Sequence, residues 1–146
     1  MAKALIVYAS RTGETRGIGE IIAEGLRFST VDVTLKDVRE IKTEMDLAGY
    51  DGYAFGSSTY HGEMMDGMKT FLFLAQKADL KGKKGAAFGS YGWSGEAAER
   101  IFDTMKHIYE MDMVAGPLML KTVSVAGGLK AAQNYGKELA VKMAGS

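Results

Sequence analysis

Short apolar runs and helical stripes alternate without a break along the 146 residues of this chain. Residues 4–9, Ala-Leu-Ile-Val-Tyr-Ala, form a continuous apolar run with the length of a strand buried on both faces. A polar, glycine-containing loop follows. Ile18, Ile21, Ile22, Gly25 and Leu26 then recur at helical spacing, with Glu20 and Glu24 on the other face. Val31, Val33 and Leu35 alternate with polar residues, as in a strand nearer the edge of a sheet. Gly52-Tyr53-Ala54-Phe55-Gly56 is a second short apolar run and ends in Ser-Ser-Thr. Residues 64–77 predict a helix with Met68, Phe71, Leu72 and Ala75 on one stripe. Gly85-Ala86-Ala87-Phe88 predicts a third buried strand, again closing into Gly and Ser. Residues 96–111 predict a helix with Ala97, Ile101, Met105 and Ile108 in line, and residues 114–125 hold strand-like material around Pro117. Residues 129–143 predict the last helix.

About five strands and four or five helices in this order predict a parallel sheet with helices on both faces, folded as one domain over residues 1–146. In such sheets a ligand sits beyond the carboxyl ends of the strands, which singles out the loops at residues 10–15, 57–63 and 89–95. Composition narrows the chemistry further. No cysteine is present, which excludes a disulfide scaffold, a cysteine nucleophile, and zinc-thiolate or iron–sulfur sites built on this chain's thiolates. Eighteen basic and eighteen acidic residues cancel, so the basic excess of a nucleic-acid binder is missing. Lys81, Lys83 and Lys84 read as a solvated edge. The first apolar run is too short for a signal peptide, and no stretch approaches a membrane span, so the expected location is the cytoplasm. The ten methionines fall mostly on helix stripes, where they fill a core.

The first loop, Ser10-Arg11-Thr12-Gly13-Glu14-Thr15, places three hydroxyls and a glycine between a strand and a helix. A helix start offers unpaired N–H groups and a partial positive charge, hydroxyls add donors, and Gly13 lets the backbone fold round an anion. Read alone, the pattern fits a plain helix cap about as well as a phosphate cradle; its place after the first buried strand favours the cradle. It lacks the lysine of a P-loop and the glycine spacing of a dinucleotide fingerprint. The second loop reads Gly56-Ser57-Ser58-Thr59-Tyr60-His61-Gly62-Glu63, and Gly62 suits a turn that needs a positive φ at its third position. The third reads Phe88-Gly89-Ser90-Tyr91-Gly92-Trp93-Ser94-Gly95. There the sole tryptophan has small neighbours at a strand's end, a loop rather than a core stripe.

These three loops, in this order over essentially the whole chain, resemble those of flavodoxins. Gly-Ser-Tyr-Gly-Trp is similar to the clostridial type, and the Gly-Trp-Ser-Gly continuation to the flavodoxin domain of flavodiiron proteins. The resemblance implies a flavodoxin-like α/β fold with a five-stranded parallel sheet, and non-covalent FMN as cofactor. It implies that Ser10, Thr12, Thr15 and Ser58 donate to the FMN phosphate, with backbone N–H groups of residues 10–15. Tyr60 and Trp93 would stack on the flavin, as two flat π surfaces do. Ser90 would lie near the ribityl chain, and backbone around Tyr91, Gly92 and Trp93 would bind the pyrimidine end. The turn from Tyr60 to Glu63, with Thr59 ahead of it, would offer the His61 carbonyl to protonated flavin N5 and the Glu63 carboxylate to N3. Two features of these loops depart from the family. Glu14 stands where many members have Asn, and is expected to turn its carboxylate away from a phosphate, leaving only its N–H to bind. Arg11 could offset that charge, although the family usually binds the phosphate without a cation. His61-Gly62 replaces Gly-acid; an imidazole at the ring would make the reduction potential depend on pH, whereas a solvent-facing histidine would not.

The resemblance implies an electron carrier passing one electron at a time between redox proteins, monomeric, and without nucleic-acid or membrane partners. An enzyme on the same fold, of quinone reductase or porphyrinogen oxidase type, is the alternative; it would need a substrate pocket over the ring, and no long insertion supplies one. A phosphoryl-receiving signalling domain would need acidic residues after the first strand, where this chain has Ser10-Arg11. The zero net charge departs from the usual strong acidity of flavodoxins, which steers basic partners.

Overall fold

The run over residues 4–9 forms the inner strand β1 (Lys3–Ala9), and residues 4–8 of it are almost wholly shielded from solvent. The computed structural model of the chain describes residues 2–60, 62–91 and 96–145. After β1 come α1 (Glu14–Phe28), β2 (Asp32–Asp37), β3 (Gly52–Tyr60), the two-residue β4 (Glu63–Met64), α2 (Asp66–Ala75) and β5 (Lys84–Ser90). Then follow α3 (Glu96–Asp103), a π-helical turn (Thr104–Ile108), β6 (Asp112–Met113), β7 (Leu118–Leu120) and α4 (Gly128–Ala144). The sheet runs β2-β1-β3-β5-β6, with β7 continuing the last position beside β5, and every one of these pairings is parallel. The predicted five-stranded parallel sheet is present, with β2 at one edge as its alternating pattern implied.

Side-chain alternation along the strands assigns the helices to faces. Phe88 lies under Gly19 of α1, whereas the next residue, Gly89, lies against Ala98 of α3. Phe55 meets Phe71 of α2 edge to face, with ring centroids 4.8 Å apart. One face therefore carries α1 and α4, the other α2 and α3. The two helices of the first face touch at glycines: a Cβ on Gly25 would lie 2.1 Å from the Gln133 carbonyl, and one on Gly136 would lie 2.2 Å from that of Ile22. Any side chain at either position would force the helices apart.

Three elements differ from their predicted form. The fifth strand is split, because residues 114–117 leave the ladder between β6 and β7. Tyr135 of α4 fills the gap. Its hydroxyl oxygen accepts from the Ala87 N–H at 3.1 Å and lies 2.8 Å from the Ala87 carbonyl and 2.7 Å from that of Gly116. The helix predicted over residues 96–111 ends its α-helical part at Asp103 and closes with the π turn, in which the Tyr109 N–H donates to Thr104 O at 3.1 Å. A π turn holds one residue more than an α turn, so the buried stripe moves on by one. Ile108, expected in line, is 58% exposed, and Tyr109 is buried in its place. Finally, α2 begins at Asp66 rather than residue 64, because Glu63 and Met64 pair back onto the end of β3.

Candidate functional site

The carboxyl ends of β1, β3 and β5 lie side by side, with Ala9 opposite Ser57 and Ser58 opposite Ser90. Thr15, in the first turn of α1, drops its side chain into the space behind them and is fully buried. Its Oγ1 lies 2.6 Å from Ser90 Oγ and 2.9 Å from Ser58 Oγ, and the two serine oxygens are 3.3 Å apart. Three predicted site residues from three separate loops thus form one hydroxyl cluster. The Arg11 N–H donates to Ser58 Oγ at 3.2 Å, which ties the first loop to it.

The first loop turns where the sequence requires. Gly13 is the residue preceding α1, its φ is +96°, and no side chain of its own caps the helix. Ser10 Oγ instead accepts from the Gly13 N–H at 3.0 Å and from the Arg16 N–H at 3.4 Å. N–H groups at this helix start thus face an oxygen acceptor, the geometry an anion would use. Thr12 donates its hydroxyl to the Glu14 carboxylate. The carboxylate is therefore held on the loop, since Thr12 offers a donor two residues back and a hydroxyl–carboxylate bond is charge-assisted.

In the second loop the Tyr60 backbone pairs with Glu63, leaving a two-residue connection whose second member, Gly62, has φ +74° as its turn position demands. Thr59 Oγ1 accepts from the Ala97 N–H at 3.2 Å and so anchors the first turn of α3. Glu63 is an ion-pair centre: Arg100 Nη1 lies 2.8 Å and Lys69 Nζ 3.9 Å from its Oε2. In the third loop the Tyr91 N–H donates to Leu120 O at 3.2 Å, continuing the β5–β7 edge. His61, Gly92 and Trp93 lie outside the described residues, as does the side chain of Tyr60.

Beside the first loop, a cavity of about 620 Å³ opens between Tyr8, Ser10 and Arg16 on one side and Asp37 and Arg39 on the other. Burial raises the Tyr8 phenol, an effect partly offset by Arg16 and reinforced by Asp37. Burial also pushes the Asp37 carboxyl up, but the Arg39 side chain, its N–H and its charge together outweigh this and hold it below the usual carboxylate value. Sequence reasoning missed this pair, and it missed Ser57 and Arg100. Ser57 Oγ donates to Ser58 O at 2.9 Å and accepts from the Met65 N–H at 3.0 Å, fixing the start of α2. Adjacent strand residues face opposite ways, and that alternation separates Ser57 from Ser58; no local signal links Arg100 to Glu63. Among the described residues, no group of three or more His, Asp or Glu is placed to hold a metal ion, and no helix is long and apolar enough to cross a membrane.

A loop lined by hydroxyls and N–H groups between the first strand and helix, at the carboxyl edge of a sheet covered on both faces, is where α/β proteins of this class take their ligands. The flavodoxin family model matches residues 6–140. The chain belongs to the flavodoxin family. Its structure is similar to that of a flavodoxin from the domain Archaea, with a TM-score of 0.89 and 32% identity over 97% of this chain and 99% of that one. It is also similar to oxidised flavodoxin 2 from Bacillus cereus, with a TM-score of 0.85 and 29% identity over 97% and 99% of the two chains. A flavodoxin of Maridesulfovibrio salexigens is 40% identical over 72 residues, so the aligned stretch spans about half of this chain and half of that relative, 49% of each. The Flv1 flavodiiron core from Synechocystis sp. PCC6803 shares the fold, with a TM-score of 0.89 at 23% identity over 99% of this chain and 36% of that one.

Proposed function

We propose that this chain binds FMN non-covalently and carries one electron at a time between redox proteins, acting as a cytoplasmic, monomeric carrier rather than an enzyme. The observation that carries the reading is the convergence of hydroxyl and N–H donors from three strand ends at the start of α1, in a chain of the flavodoxin family. This donor set suits a phosphate: it is uncharged and multiple, and it stands at the positive end of a helix. Ser10, Thr12, Thr15 and Ser58 would hold the phosphate together with N–H groups of the first loop, Arg11 and Glu14 among them. Tyr60 and Trp93 would cover the ring faces, with Tyr91 and Gly92 at its pyrimidine end and the His61-Gly62 turn at its edge. The Arg100 ion pair supports a secondary role for Glu63, because a carboxylate already paired at 2.8 Å is a weaker acceptor for a flavin N–H. FMN supplies the electron-carrying chemistry; the chain's residues bind it, orient it and keep water off its faces. The test is equilibrium titration of the chain with FMN, followed by quenching of flavin fluorescence. Stoichiometric quenching that is weakened in Trp93→Ala supports the reading, and absence of binding refutes it.

A further inference from the structure

The hydroxyl cluster has an internal direction. Three hydroxyls carry three protons, and a closed ring among them would consume all three. The ring is uneven: the contacts of 2.6 and 2.9 Å both involve Thr15, and the Ser58–Ser90 edge is 3.3 Å. Proton sharing therefore runs along Ser90, Thr15 and Ser58, and the long edge is the one most readily given up. At the loop end, Ser58 Oγ already accepts the Arg11 N–H. If Thr15 also donates to it, both of its acceptor positions are filled and its own proton is free to leave the cluster. The opposite order would send that proton inward to Thr15 and the Thr15 proton on to Ser90, which is buried at the end of β5.

We propose that Ser90 is a positioning residue for the phosphate end of FMN, donating to Thr15 so that Thr15 donates to Ser58, serving the phosphate through it rather than with its own proton, and the Ser58 proton faces the first loop. The proposal rests on the FMN reading above and gives Ser90 a different task from one beside the ribityl chain. A hydroxyl touching the ribityl chain affects FMN and riboflavin alike, whereas one acting through Thr15 affects only the ligand that carries a phosphate. Aligned hydroxyls also polarise one another, so losing the first member weakens the last.

The full-length chain is titrated with FMN and, separately, with riboflavin. Ser90→Ala is expected to weaken FMN by about 5- to 10-fold, the scale of one hydrogen bond between neutral groups. Riboflavin affinity should stay within about twofold, and Ser90→Thr, which keeps the hydroxyl, should restore FMN binding. Should the alanine variant fail to fold, Ser90→Cys keeps the volume with a weak donor, and the same FMN-only loss is expected. Equal weakening of both flavins in a folded variant, or no change in either, would overturn the proposal. A wild-type chain that binds neither flavin would overturn the FMN reading and this proposal with it.

Discussion

Replacing Glu14 with Gln should tighten FMN binding, because the loop proposed to hold the phosphate also holds a carboxylate. Thr12 donates to Glu14 within that loop. Thr12 has a single hydroxyl proton, so donating it to a phosphate oxygen takes it from the carboxylate. The two anionic oxygens are then left roughly 5 Å apart across the Thr12 oxygen, about two hydrogen-bond lengths. Two unit charges at that separation repel by about 0.8 kcal/mol in water, or about 1.7 kcal/mol when one is a dianion. Salt at about 0.1 M, with a Debye length of about 10 Å, leaves roughly 1 kcal/mol of this. Glu14→Gln is nearly isosteric and keeps the backbone N–H, so FMN should bind about 5-fold more tightly at that salt. At about 1 M salt the gain should shrink below about twofold. The assay is flavin fluorescence titration at both ionic strengths, with riboflavin as the ligand lacking a phosphate. An FMN affinity unchanged or weakened at low salt would refute the electrostatic reasoning, as would an equal gain for riboflavin.

Two further predictions concern stability. Tyr135→Phe removes the hydroxyl that bridges the split fifth strand and leaves the Ala87 N–H without a partner. The expected loss is about 1–3 kcal/mol in urea unfolding; a loss within error would mean that the gap is satisfied some other way. Asp112 is held below its usual 3.8 by hydrogen bonds from Lys84 and Lys142 and by their charges. A depressed carboxylate adds stability that is complete above its unfolded value and is lost as pH falls through the lower folded one. Wild-type unfolding midpoints should therefore drop on acidification below about pH 4 more steeply than those of Asp112→Asn; parallel acid limbs would remove Asp112 from the explanation.

The sheet and the position of its ligand edge were legible because buried parallel strands announce themselves as short apolar runs, and the loops after them are rich in hydroxyls and glycine. Ser58, Ser90 and Thr15 could be placed at one edge from sequence, but their mutual contact could not, since it joins residues 32 to 75 positions apart. Ile108 failed because the helical stripe assumes α periodicity, and one π turn advances the buried position to Tyr109. The split of the fifth strand was hidden for a similar reason: the group that closes the gap, Tyr135, comes from a different element. Glu63 reads as an available acceptor in its loop, and only the tertiary fold brings Arg100 to it.

Stepwise reduction of the FMN-reconstituted chain, followed through the visible spectrum, tests one-electron carriage most directly. A long-wavelength absorption band that rises to a maximum near half reduction and then disappears is the expected result. Bleaching of the oxidised flavin in a single two-electron phase, with no such band, would contradict it.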